Sequence, residues 1–152
     1  MTALLAALAG LAVLFLPGPV LGDSSEQLVA KTAYHEARSD GLPGMLAVSF
    51  VVRNRLRAGT FGDSVREVVM ARAQFTVWNR GGAARRVRIP ADDPHYILAL
   101  QAARLALSGA VKDPSGGATY FHGRRMSPPP RWSRGMRVVA RVGGHVFYMP
   151  RD

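Results

Sequence analysis

The chain has 152 residues and no cysteine, which is one domain's worth of sequence, long enough to bury a core without disulfide staples. The missing cysteines exclude thiol catalysis, cysteine-based zinc sites and a disulfide framework, and leave the compartment open. Twenty Lys and Arg against ten Asp and Glu give a net charge of +10, which favours an anionic partner: nucleic acid, anionic lipid or an acidic polymer of the cell envelope.

Residues 3–16 form an apolar or glycine run, and "PGP" at 17–19 breaks any helix there. Val20 and Gly22 are small enough for the −3 and −1 positions of a signal-peptidase site. Residues 1–22 therefore read as a signal peptide that exports the chain. The run is shorter than the roughly 20 residues of a membrane span. No Lys or Arg precedes it, so an uncleaved anchor that holds the chain at a membrane is the other reading. Residues 23–152 then form the functional domain, in the periplasm, the envelope or the exterior.

From Asp23 onward helices come first. Ser24 with Gln27 makes a capping box for a helix reaching about Arg38. "DGLPG" ends it, and Pro43 suits the first turn of a second helix through "MLAVSFVVRNRLR", stopped by Gly59. Ser64 and Glu67 form another capping box before "VREVVMAR". "QFTVWN" and a glycine-arginine loop follow; the dense basic run "RGGAARRVR" at 80–88 reads as that loop, solvated. "DDPHYILALQAARLALSG" has Asp93 as N-cap, Pro94 at the first helical position and Gly109 as C-cap. After "DPSGG" the period changes: "ATYFH" reads as a strand, and "MRVVARV" and "HVFYM" as a hairpin turning at Gly143-Gly144. Helices followed by a small antiparallel sheet define an α+β domain.

"AYHEARSDG" is where chemistry is sought first. A zinc site of the H-E-x-x-H kind needs a second histidine four residues after His35, and that position is Ser39. His95, His122 and His145 stand in separate elements, so no metal site is expected. On a helix Val29, Ala33 and Glu36 share a stripe, whereas His35 points away beside Leu28. Glu36 thus occupies a slot where an apolar residue is expected. A carboxyl there loses hydration and its pKa rises, as a general acid requires. Periodicity alone slightly favours the plainer reading, a surface glutamate paired with Arg38 or another arginine. Asp40 lies one turn on, and retaining glycosidases hold two carboxylates about 5–5.5 Å apart. Gly41 and Pro43 argue instead that Asp40 caps or turns the chain.

"AYHEARSDGLPGMLAVSFVVRNRL", "QFTVWN", "DPSGGATYFH" and "VARVGGHVFY" occur in the order and approximate spacing of one family. Over residues 28–148 the chain resembles the cell wall hydrolase family of the spore cortex-lytic enzyme SleB type. The resemblance implies a lysozyme-like, transglycosylase-type helical domain with a small C-terminal antiparallel β-sheet, acting on peptidoglycan glycan strands. It implies that the glutamate of "EAR", Glu36, is the catalytic acid. No cofactor is expected, since no metal-ligand spacing is present, and no nucleic acid partner, given the export segment and the lack of a compact basic recognition helix. The resemblance also brings Gln74, Trp78, Asn79, Tyr120, His122 and His145 forward as candidates to bind sugar. Amides and imidazoles hydrogen-bond sugar hydroxyls, and aromatic rings stack on sugar faces. Phe75, Phe121 and Phe147 read as core, and Trp78 fits core or groove. Two positions depart from the family's habit: Ser39-Asp40 where it often has Gly-Glu, and Gly143-Gly144 where it often has Gly-Asn. Either glycine or asparagine suits a turn with positive φ.

The expected reaction is lytic transglycosylation with one glutamate as acid and base. Muramidase-type hydrolysis is the alternative if Asp40 faces Glu36. Other classes are a metal-dependent wall amidase or peptidase, and a non-enzymatic basic module that binds an anionic polymer.

Overall fold

The computed structural model describes residues 22–72 and 74–152. The signal-peptide or anchor reading of the N-terminus therefore lies outside the described residues, apart from Gly22.

Helix α1 (Ser25–Ala37) starts at a complete capping box: Gln27 N–H donates to Ser24 Oγ at 3.2 Å, and Ser24 N–H donates to Gln27 Oε1 at 2.8 Å. From Leu28 to Ala37 none of its residues is exposed. Ala30, Ala33 and Ala37 are wholly buried, and their small side chains let neighbouring helices close on α1 from several sides. Polar residues such as Lys31, Thr32, His35 and Glu36 are carried inward with the apolar ones, which is why the sequence shows only a weak stripe. This corrects the expected facing of His35, which is half-buried, and of Leu28, which is buried.

A single 3₁₀ turn, Arg38–Asp40, joins α1 to α2 (Gly41–Ala58), which starts at Gly41, ahead of Pro43, and ends at Gly59 with φ +71°. Helix α3 (Val65–Met70) is capped by Ser64 Oγ, but Glu67 bonds the Asp63 N–H, so the expected box is displaced by one residue. Helix α4 (Ala83–Arg86) adds one turn inside the segment read as a loop. Helix α5 (Pro94–Ser108) is capped by Asp93, whose Oδ1 accepts from the His95 and Tyr96 N–H groups, and ends at Gly109 with φ +68°.

The sheet follows the helices. Strands β1 (Tyr120–Gly123), β2 (Met136–Val142) and β3 (His145–Pro150) run antiparallel in the order β1-β3-β2. Tyr120 pairs with Tyr148 and Gly123 with His145, and a bulge interrupts β2 between Val138 and Ala140. The β2–β3 turn lies against the α1–α2 junction. Gly143 has φ +53°, and a Cβ on it would come 2.5 Å from Asp40 Cγ. Space as well as φ therefore demands glycine at 143, which the family shares. At Gly144, where the family often has asparagine, φ is not positive and a Cβ would come 3.2 Å from Asp40 Oδ1, so the positive-φ reading of that position is corrected.

The core lies where α1, α2 and α5 meet, with Phe75 and Phe147 buried under the sheet. Trp78 belongs to it. That side chain is 4% exposed and its Nε1–H donates to Thr32 Oγ1 at 2.7 Å. Two adjacent residues of α2 then anchor the sheet. Asn54 Nδ2 donates to Asp113 Oδ2 at 2.9 Å and to the Ala118 carbonyl at 3.1 Å; Arg55 Nε donates to the Thr119 carbonyl at 2.7 Å. These bonds hold the lead-in to β1 against α2, so β1 faces the C-terminal end of α1.

Candidate active site

Glu36 lies in the last turn of α1, partly buried, with its carboxyl opening on a cleft of about 240 Å³. Among the described residues no group donates a hydrogen bond to that carboxyl. Loss of hydration pushes its pKa up to about 7, and the positive charge of Arg55 opposes the rise. The C-terminal end of the α1 dipole also disfavours an anion there. The compensating cation is therefore Arg55 of α2. Of the expected partners, Arg38 or another arginine, Arg38 lies over the Tyr34 ring, 5.0 Å from its centroid.

Arg55 is 3% exposed. Its guanidinium packs on Phe75, Phe61 and Tyr120, with centroids 4.7, 5.1 and 5.7 Å away. Burial lowers its pKa to about 10, with Tyr120 and Glu36 pulling the other way. It stays a cation at neutral pH. Its Nη1 is buried without a partner among the described residues, an unusual cost for a charged group, while the residue lines the same cleft as Glu36.

The opposite wall comes from the sheet and the segment before β2. His122, Gly123, His145, Phe121, Met126 and Trp132 line it, with Gln74 and Thr76 closing one side. His122 is tied on both nitrogens: a carbonyl can only accept, so Nδ1–H donates to Gly123 O at 2.8 Å, and Nε2 accepts from Tyr148 Oη at 2.7 Å. Trp132 lies in a 3₁₀ turn, Arg131–Gly135, 38% exposed, against Tyr120, Tyr148 and His122. It presents an aromatic surface to the cleft.

Asp40 and His145 mark the cleft's outer border. His145 Nδ1–H donates to Asp40 Oδ2 at 2.8 Å, both side chains being 13% exposed. Asp40 stands at the N-cap position of α2 without a side-chain cap bond; of the two expected roles, cap or turn, it fills the turn, as the last residue of the 3₁₀ segment. With Nδ1 committed, His145 Nε2 is the nitrogen left for the groove. Beyond this pair the groove opens into a basin of about 1000 Å³ that shares Gly123, Met126 and His145 with the Glu36 cleft.

The fold thus brings Glu36, Gln74, His122 and His145 to one cleft. Trp78 is in the core, because its indole N–H is used by Thr32. Asn79 is exposed and lines neither cavity, and Tyr120 lies behind Trp132. Phe121, expected in the core, is half-buried and lines the cleft, whereas Phe75 and Phe147 are core. Sequence reasoning overlooked Arg55 and Trp132, though each left a signal. Arg55 continues the helical stripe of Val48, Val51 and Val52, where an arginine has to find a reason to be buried. Trp132 sits in "SPPPRWSRG" with no apolar neighbour to bury it.

A family model described as Cell Wall Hydrolase matches residues 39–148, beginning after Glu36. The spore cortex-lytic enzyme of Halalkalibacterium halodurans is 35% identical over 128 residues, 82% of this chain and 34% of that protein. That of Bacillus subtilis is 30% identical over 123 residues, covering 80% and 36%. The chain spans about a third of the length of these curated relatives. Among solved structures, the catalytic domain of the Bacillus cereus SleB protein superposes with a TM-score of 0.68 at 25% identity, over 84% of this chain and 93% of that domain. The catalytic domain of a germination-specific lytic transglycosylase SleB from Bacillus anthracis gives 0.67 at 23% identity, covering 87% and 99%. The expected lysozyme-like α+β architecture is that of these catalytic domains.

Proposed function

The chain belongs to the cell wall hydrolase family, and on that premise we propose that it cleaves peptidoglycan glycan strands by lytic transglycosylation, with Glu36 as sole acid and base. The observation that carries this reading is a carboxyl held near pKa 7 by burial at the floor of an open cleft. A carboxyl raised into this range can hold a proton at neutral pH and also release it, which suits both donation and acceptance.

In the reaction Glu36 gives its proton to the oxygen joining muramic acid C1 to the next sugar, and the C1–O bond breaks. The sugar leaves as an alcohol, and positive charge grows at C1. The carboxylate now on Glu36 is stabilised by the Arg55 charge, which already opposes the effect of burial. The C6 hydroxyl of the same muramic acid then bonds to C1 while its proton returns to Glu36. A 1,6-anhydro end forms and the acid is regenerated. No water is consumed, so no second carboxylate is needed to activate one. Asp40, bonded to His145, is directed to another task. The Trp132 ring supports a sugar face, and the Gln74 amide and His145 Nε2 offer bonds to N-acetyl or hydroxyl groups.

Residues 23–152 would act outside the cytoplasm, exported by residues 1–22 as a signal peptide or tethered by them as an anchor. The +10 charge helps hold the enzyme on a wall whose peptides carry carboxylates. Mass spectrometry of digested peptidoglycan tests the mechanism: anhydro-muramic ends support it, and reducing muramic ends assign hydrolysis instead. Neither kind of end would arise from an amidase.

A further inference from the structure

We infer that the basin beside the Glu36 cleft receives the stem peptide of the muramic acid at the cleavage point, with Arg124 and Arg125 pairing its carboxylates. The inference rests on the glycan-cleaving reading above and names the part of the substrate that this reading leaves unassigned.

The geometry follows from the substrate's chemistry. The bond that breaks is on C1 of muramic acid, and the same sugar carries the lactyl group and its peptide on O3. A peptide therefore emerges within one sugar's width of the acid, and the protein must have room for it there. The basin borders the cleft through Gly123, Met126 and His145, and its volume of about 1000 Å³ exceeds the cleft's 240 Å³ several-fold.

The charge is also suitable. Arg124 and Arg125 are exposed at the end of β1, and among the described residues neither enters an ion pair. Arg124 is held in place by its backbone N–H on Gly144 O at 2.7 Å and by Nη1 on Gly143 O at 3.2 Å, which leaves Nε and Nη2 to face a ligand. The one carboxylate on the basin wall, Asp40, is bonded to His145. Two guanidiniums therefore set the sign of the basin, and a guanidinium fork matches a carboxylate bidentately.

The test compares glycan strands carrying stem peptides with the same strands stripped by an amidase, using initial rates at sub-saturating substrate. In the wild type the peptide-bearing strands are cut faster. In the Arg124→Gln/Arg125→Gln variant the ratio of the two rates falls about fivefold, the effect of losing two exposed charge pairs. Arg125→Gln alone, which leaves the Gly143 contact intact, moves the ratio in the same direction. The variant Arg86→Gln/Arg88→Gln removes two exposed charges that line neither cavity and keeps the wild-type ratio. A ratio unmoved by the Arg124 and Arg125 changes, whether both rates fall together or neither does, overturns the inference. So does a wild type that cuts both substrates equally. Glu36→Gln run alongside separates the two claims, because a Glu36→Gln enzyme that still cuts both substrates sinks the catalytic reading instead.

Discussion

Glu36 and Asp40 stand one helical turn apart in the chain, and their surroundings give them different chemistry. Glu36 lies in the last turn of a helix with no exposed residue from Leu28 onward, takes no hydrogen bond among the described residues and is pushed up to about pKa 7. Asp40 sits just past the helix, in the 3₁₀ turn, and bonds the imidazole of His145 from the β2–β3 turn's far side. The same functional group is desolvated and raised in pKa in one place and bonded to an imidazole in the other, which on the proposed reading makes the first a proton carrier and the second an orienting strut. Which one it becomes depends on hydration and on the neighbour, not on distance along the sequence.

The sharpest way to break this contrast is to neutralise each acid in turn. On the proposed mechanism, in which one group is both acid and base, Glu36→Gln should lower glycan cleavage by at least about 1000-fold. Peptidoglycan release measured against wild type checks it. Asp40→Asn should cost only about fivefold, the loss of charge assistance in a single bond to His145. If Asp40→Asn were as crippled as Glu36→Gln, a two-carboxylate hydrolysis would replace the one-carboxylate route.

Stability sharpens the contrast further. The folded pKa of Glu36 is raised from 4.5 to about 7, so the native state holds its proton more tightly than the unfolded chain does. Its contribution is therefore present below about pH 4.5 and is lost as pH rises to about 7, amounting to roughly 3 kcal/mol. Chemical denaturation of wild type and Glu36→Gln across that window should show the wild type weakening relative to the variant as pH rises. Parallel curves would mean that the carboxyl is not sheltered.

Activity at saturating enzyme stability should fall as pH passes about 7, because the acid is then deprotonated. Arg55→Gln should move that limb upward, since Arg55 holds the Glu36 pKa down. A pH–rate profile of Arg55→Gln, with Arg55→Lys as the charge-keeping control, would detect it. An unmoved limb would remove Arg55 from the electrostatics of the site.

Much of the fold was legible because it is written locally. The Ser24 and Asp93 caps, the Gly59 and Gly109 stops and the Gly143-Gly144 turn are each set by the conformation of a few adjacent residues. Glu36 was legible in part, as a polar residue on an apolar stripe, but the stripe could not say what it faced. Trp78 and Trp132 show the limit most clearly. Equal in chemistry, one is buried on Thr32 and the other is offered to the cleft, and only the packing of distant elements separates them.

By itself, then, the order of residues determined the helices-then-sheet arrangement, the family pattern and the identity of the acid to suspect. Tertiary structure alone decided that Arg55 is the cation beside that acid, that Asp40 serves His145, and that a basic basin adjoins the cleft. The physical reason is range. Caps, turns and periodicity act within a few residues, whereas a carboxyl's hydration and its partners depend on groups that the chain brings back from far away, as β3 does when it carries His145 to Asp40 across 105 positions.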